Sequence, residues 1–430
     1  MGEIWQLGAV GVARLIRERE LSSIEVVDAF LRRIEVVNPT INAVIVLSEE
    51  RAMDEARSAD ADLARHRPLR PLHGVPFTVK DVFDTAGVET SVGIPERIGK
   101  VPMKDAVAVA RLRGAGGILL GKTNLPPGGS GGVTDNAVHG RTNNPYDRER
   151  SPAGSSGGEA AIQGAGGSPV GLGSDSGGSL RLPAHFCGVA ALKPTSGRVP
   201  NTGAFQHPGG LSDTRTQIGP LSRFVEDLAP ILKIVAGPDG RDSGVVPMPV
   251  SDPEAVELRG LRVAFYTDDG STPTTPETAA TVKDAVGALV GAGATVTEAC
   301  PERIGPIALD ITHRYWGWDE LPGGETARLL DDWDRFRTRL LAFMDSVDVI
   351  VCPTSPGPAS LHGEGLESMF NYTLPFSLSG QPSVVVPLGA SEEGLPIGVQ
   401  VVGRVWRDDV ALGVARSLEQ MVGGWRTPPI

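Results

Sequence analysis

Two serine–glycine turns lie close together in the stretch Ser151–Pro194. The first is Gly154-Ser155-Ser156-Gly157-Gly158 and the second is Gly173-Ser174-Asp175-Ser176-Gly177-Gly178-Ser179. Each leads into a short apolar segment able to open a helix. Glycine is used where backbone takes a positive φ or comes close to another group. Two such turns so near each other point backbone N–H groups at a shared place, which is the design of an anion or oxyanion pocket. A serine there becomes a nucleophile only when a base takes its proton. Such a base is not found nearby: none of the seven lysines follows a serine by three residues, and none of the seven histidines sits in an H-E-x-x-H setting.

Lys80 is a base candidate from further away. The chain prefers arginine, with only seven lysines among its 40 basic residues. Arginine does not deprotonate in a protein, whereas a desolvated lysine becomes a neutral amine near pH 7. Lys80 ends the apolar run Val75–Val79. The residues alone leave two readings open, a surface lysine at a strand end and a buried base. The serines are equally open, because Ser155, Ser156 or Ser179 at a helix start also reads as a plain N-cap. Phosphate binding is the weaker third use of such turns, since neither turn carries the G-x-x-x-x-G-K-[ST] pattern.

The elements that must position these residues alternate between short strands and helices. Ser22-Ser23-Ile24-Glu25 reads as a capping box opening a helix that stops at Asn38-Pro39. Val44–Leu47 reads as a strand and 49–65 as a covering helix. A strand ends at Lys80, 105–114 is a helix, and Ile118–Leu120 a buried strand before the loop 125–132. After Pro194 the sequence reads as loop up to Pro220, with a helix over 225–235 and a linker over 236–258. Strand 261–266, helix 276–292 and strand 295–298 form a small unit. Helix 326–343, strands 347–352, 383–388 and 397–402, and helix 408–421 close the chain. This alternation indicates α/β.

A net charge of −12 argues against a nucleic-acid partner. The three cysteines, Cys187, Cys300 and Cys352, are far apart and read as reduced core residues, with no metal site expected. No continuous apolar run approaches a membrane span, and the N-terminus lacks a signal-peptide core, so a cytoplasmic protein off the membrane is expected.

Taken together, the sequence resembles the amidase signature family, the Ser–cisSer–Lys amidohydrolases. The resemblance runs through HGVPFTVKD at 73–81, GKTN at 121–124, GRTNNPYD at 140–147 and PAGSSGGEAA at 152–161. It continues through 171–195, GPLSR at 219–223 and LPIGVQVVGR at 395–404. It implies one amidase signature domain over 1–430, a central mixed β-sheet with helices on both faces. Within it lie a helical part at 1–66, a catalytic core at 67–225, a smaller variable lobe at 226–345 and a return to the sheet at 346–430. By the same resemblance Ser179 is the nucleophile, Ser155 the relay serine after a cis peptide bond, and Lys80 the base. The N–H groups of Ser176, Gly177, Gly178 and Ser179 form the oxyanion hole. Ser156, Asp175 and Arg181 hold the turn and the lysine. Ala153 replaces a glycine usual in the family, and Ser174 a threonine.

The loop after GKTN aligns with residues lining the acyl pocket, so Gly128, Gly129 and Ser130 are expected to bind substrate at a roomy entrance. Tyr315, Trp316, Trp318 and Trp333 are expected as its aromatic walls. The activity implied is hydrolysis of small or aryl amides without a cofactor, extending to esters and carbamates, by a monomer or homodimer. The alternatives are the amidase subunit of a tRNA-dependent amidotransferase and a catalytically silent binding protein. The acidic charge and Asn371-Tyr372-Thr373-Leu374-Pro375 do not favour the amidotransferase.

Overall fold

A computed structural model describes residues 3–205, 216–365 and 367–430. Runs of Val, Ile and Leu bounded by glycine or proline set the strands. These are β1 (Val44–Leu47), β2 (Pro76–Lys80), β3 (Ile118–Thr123), β4 (Val170–Asp175), β5 (Ala190–Lys193), β6 (Gln217–Ser222), β7 (Arg262–Phe265), β8 (Thr295–Glu298), β9 (Val349–Pro353), β10 (Ser383–Ala390) and β11 (Pro396–Gly403). They form one mixed sheet in the order β1-β3-β2-β4-β6-β5-β10-β11-β9-β7-β8. β2 lies parallel to both β3 and β4, and β7 parallel to both β8 and β9. The unit at 261–298 therefore extends the edge of this sheet.

The helices flanking the sheet are α1 (Ala9–Arg17), α2 (Ser23–Ile41), α3 (Glu49–Ala64), α4 (Val107–Gly114), α5 (Gly157–Gly164), α6 (Arg181–Cys187), α7 (Leu228–Val235), α8 (Pro276–Gly291), α9 (Ile304–Trp316), α10 (Gly323–Met344), α11 (Leu374–Ser379) and α12 (Asp408–Val422). The capping box of α2 is present: Glu25 N–H donates to Ser22 Oγ at 3.1 Å and Ser22 N–H to Glu25 Oε2 at 2.8 Å. The helix runs past Pro39 to Ile41. Asn42 ends it at φ 50°, and Asn38 Oδ1 receives the N–H groups of Ala43 and Val44. Sequence reading missed α1, α9, α11, β4, β5 and β6. The last contains Gly219-Pro220, which argues against a strand; residues 206–215 of the expected loop lie outside the described residues. Cys187 and Cys352 are buried, but Cys300 is exposed just beyond β8 rather than in the core. Among the described residues no helix is long and apolar enough to cross a membrane.

Because β2 and β4 are parallel neighbours, with Thr78 opposite Gly171 and Val79 opposite Leu172, their carboxyl ends share one edge of the sheet. That brings Lys80 beside Ser174 and Asp175, which open the second turn. In α/β sheets this edge is where ligands bind. The other turn reaches the same edge through α5. Its Glu159 is buried under the sheet and accepts from Thr78 Oγ1 at 2.5 Å, Thr123 Oγ1 at 2.8 Å and Gln163 Nε2 at 3.0 Å. Burial pushes its carboxyl up to about 7, and the three hydrogen bonds pull the other way. This contact needs Gly171, where a Cβ would stand 1.8 Å from Glu159 Oε1. Gly171→Ala is expected to cost about 1–3 kcal/mol through overpacking, read as a lower melting temperature. An unchanged melting temperature would show that α5 has room to move.

Candidate active site

Lys80 is fully buried at the end of β2. Its Nζ donates to Ser155 Oγ at 2.6 Å and to Ser174 Oγ at 2.9 Å. Burial lowers its pKa to about 7, and the nearby Asp175 carboxylate draws it partly back. The lysine is thus a group that holds and releases a proton near neutrality. The surface-lysine reading is excluded by this burial.

Ser155 follows a cis Gly154–Ser155 peptide bond. Ala153, in place of the family's usual glycine, keeps a left-handed φ of 60°. Ser156 joins the two turns. Its N–H donates to Ser179 O at 3.1 Å, its Oγ to Ser174 O at 3.2 Å, and it receives Ser174 N–H at 3.4 Å. Ser156 at the start of α5 makes no side-chain cap, and the N-cap position of α6 is taken by Leu180 rather than Ser179. The N-cap alternative therefore does not account for these serines.

The second turn is anchored from below. Asp175 and Arg181 are a fully buried ion pair, with Arg181 Nε 2.9 Å from Asp175 Oδ2 and Nη2 2.9 Å from Oδ1. Burial acts to raise the Asp175 pKa. The Arg181 charge and its hydrogen bonds outweigh that and hold the carboxyl below its usual value. Asp175 also receives Gly178 N–H at 2.8 Å and Leu180 N–H at 3.2 Å. Arg181 spans onward to Thr373 O at 2.9 Å and Gln400 Oε1 at 2.8 Å. The expected set of four oxyanion donors is therefore corrected: Gly178 N–H is engaged with Asp175. Among the described residues the N–H groups of Ser176, Gly177 and Ser179 meet no acceptor. Ser176 Oγ pairs with Thr216 Oγ1.

Ser176, Gly177 and Ser179 face a cleft of about 270 Å³. Gly129 and Ser130 line it, together with Gly131, Gly132 and Val133. Gly128 does not. Its N–H goes to Val92 O at 2.9 Å, and it faces Phe205. Of the four expected aromatic walls only Trp316 reaches the cleft, 56% exposed. Tyr315 and Trp333 are buried, edge to face at 5.0 Å, and Trp318 packs on their cluster. Helical spacing explains the division, since Tyr315 turns inward with Ile304, Ala308 and Ile311. Met369 and Phe370 complete the wall and were not anticipated. Among the described residues no charged side chain lines the cleft.

Sequence reading took the G-x-x-x-x-G-K-[ST] pattern as absent and missed that residues 116–123, GGILLGKT, have this spacing. The structure places Ile118–Thr123 in β3 and Lys122 in a buried pair with Asp81 at 2.8 Å. The segment is a buried strand rather than an open cradle, and the phosphate alternative has no site at this position.

Residues 25–317 and 326–412 match the family model Amidase. An acylamidase of Rhodococcus erythropolis is 33% identical, covering 96% of this chain and 95% of that protein. A glutamyl-tRNA(Gln) amidotransferase subunit of Roseiflexus castenholzii is 34% identical, covering 99% and 98%. The structure of a 6-aminohexanoate cyclic dimer hydrolase complexed with substrate superposes with a TM-score of 0.87 at 30% identity, over 99% of both chains. The matched stretches, the relatives above 30% identity along nearly the whole length and the shared fold lead to one conclusion: the chain belongs to the amidase signature family.

Proposed function

We propose that this amidase signature hydrolase acts alone on uncharged amides with an aryl or alkyl acyl group, and also on the corresponding esters and carbamates. The observation that carries this reading is the cleft: Trp316, Met369, Phe370 and Val133 give it apolar walls, and none of the described residues lining it is charged. Glutamine, the ammonia donor of an amidotransferase, would bring an ammonium and a carboxylate into this space without partners, at high desolvation cost. The similarity to amidotransferase subunits favours the second reading, in which ammonia is delivered to a partner.

In the proposed mechanism neutral Lys80 takes a proton from Ser155 as Ser155 takes one from Ser179. Ser179 Oγ attacks the carbonyl carbon, and the oxyanion is held by the N–H groups of Ser176, Gly177 and Ser179. The proton returns through Ser155 to the leaving amine as the C–N bond breaks. Water, deprotonated along the same relay, then releases the acid and restores Ser179. Positioned donors of this kind are usually the largest electrostatic contribution to acyl transfer.

A panel of neutral aroyl and acyl p-nitroanilides, nitrophenyl esters and aryl carbamates, assayed beside L-glutamine, tests the reading. The best neutral amide is expected to exceed L-glutamine by at least about 100-fold in kcat/KM, the scale of leaving a buried charge unpaired. A protein that hydrolyses L-glutamine and ignores the neutral amides overturns it. Failure of a fluorophosphonate to label Ser179 would instead support a silent binding protein.

A further inference from the structure

Thr373 stands at the start of α11, where a threonine ordinarily turns its hydroxyl onto its own helix. Here it makes no such cap. Its Oγ1 lies 2.5 Å from the carbonyl oxygen of Gly177 and 2.7 Å from that of Phe370. A hydroxyl has one proton to give, and the shorter contact is to Gly177. The other side of the same peptide unit is also held, because Gly178 N–H donates to Asp175 Oδ1 at 2.8 Å. In a trans peptide the C=O and the following N–H point in opposite directions. Thr373 and Asp175 therefore grip the Gly177–Gly178 plane from its two sides. Gly178 has φ 136°, and a Cβ there would stand 2.2 Å from Thr373 Oγ1. A Gly-Gly unit has little steric hindrance of its own to keep it from rotating, so its orientation depends on these two bonds.

Both grips are tied to one guanidinium. Arg181 Nη1 donates to Thr373 O at 2.9 Å, while Nε and Nη2 hold Asp175. The N–H groups of Gly177 and Ser179 flank the gripped plane. We propose that Thr373 is a positioning residue: by holding the Gly177 carbonyl it sets the direction of the N–H donors that receive the oxyanion. This rests on the hydrolase reading above and places Thr373 apart from the reacting atoms. The same short segment presents Met369 and Phe370 to the cleft, so the wall that meets substrate and the residue that sets the donors are one piece of chain.

The test uses the full chain with Thr373→Val and Thr373→Ser, each checked for its melting temperature. Two rates are read: turnover of a neutral p-nitroanilide, and phosphonylation of Ser179 by a fluorophosphonate, in which the Ser179 O–P bond forms and fluoride leaves. Thr373→Val is expected to lower kcat and the phosphonylation rate by at least about tenfold with KM within about threefold, the pattern of an interaction made in the transition state. Thr373→Ser keeps the hydroxyl and is expected to recover both rates to within about threefold. Should the valine variant fail to fold, Thr373→Ala removes the hydroxyl without replacing the methyl branch and repeats the test. Native rates in a hydroxyl-free variant overturn the proposal, and so does a serine variant as slow as valine, which would assign the effect to packing. A native protein that the fluorophosphonate does not label overturns the hydrolase reading itself, an outcome distinct from a labelled protein indifferent to Thr373.

Discussion

Lys80→Met removes most hydrolysis at pH 7, by about 10²–10⁴-fold in kcat/KM, the usual contribution of a general base, while the melting temperature at pH 7 stays level or rises. The two halves of this result have one cause. In the folded chain Lys80 is buried with Nζ against Ser155 and Ser174, and its pKa falls to about 7. In the unfolded chain it returns to about 10.4. Between these values the unfolded state binds the extra proton, so stability rises with pH across that window and the penalty is fully present below pH 7. A shift of this size corresponds to on the order of 4 kcal/mol against folding near neutrality. Methionine fills similar volume without a charge and lifts that penalty, offsetting the two lost hydrogen bonds. The stability gain over native is therefore largest below pH 7 and shrinks from there towards pH 10. Native kcat/KM should rise through pH 7 as the amine is freed, and the residual activity of the variant should move to more alkaline pH. Activity retained at neutral pH, or a melting point several degrees below native there, would remove Lys80 from the role of base.

The residues behind that prediction were legible through the family resemblance, since composition and local order marked them without deciding between a buried base and a surface lysine. Lysine is scarce beside arginine, Lys80 ends an apolar run, and the serine–glycine turns are dense in one stretch. Parallel pairing of β2 with β4 turns those sequence facts into a 2.9 Å contact of Lys80 with Ser174. The substrate side was less legible. Met369 and Phe370 reach the cleft from about 190 residues beyond Ser179, delivered by the turn ahead of α11, and no local pattern marks such a long-range approach. Helix α11 is six residues long, too short to show a period. Gly128 and Gly129 look alike in sequence, yet hydrogen bonding to Val92 takes one away from the cleft and leaves the other lining it. The four-donor oxyanion hole needed correction for a similar reason. Which N–H groups stay open depends on where the Asp175 carboxylate points, and that is fixed by Arg181.

The same ion pair yields the other large effect, with two variants expected to move the pH profile in opposite directions. Asp175 and Arg181 are both fully buried, and Asp175 gathers Gly178, Leu180 and three donors of Arg181 onto two oxygens. Removing one member of a buried pair leaves the other unpaired and costs about 3–5 kcal/mol, so Arg181→Met and Asp175→Asn should both lower the melting temperature sharply. Their effects on Lys80 differ in sign. The Asp175 carboxylate raises the Lys80 pKa against the larger effect of burial. Asp175→Asn removes that attraction, and the acidic limb of kcat/KM should move to lower pH. Arg181→Met leaves the carboxylate uncompensated beside the lysine, so protonated Lys80 is favoured and the limb should move to higher pH. Burial then also pushes the Asp175 carboxyl up, and its stabilising contribution is lost at a higher pH on acidification than in the native protein, where Arg181 holds it low. Pairing melts across pH with rate profiles for both variants separates this from simple loss of structure, because unfolding lowers both rates without moving their limbs apart. Limbs that shift the same way, or not at all, would mean that Asp175 shapes the turn without setting the charge of Lys80.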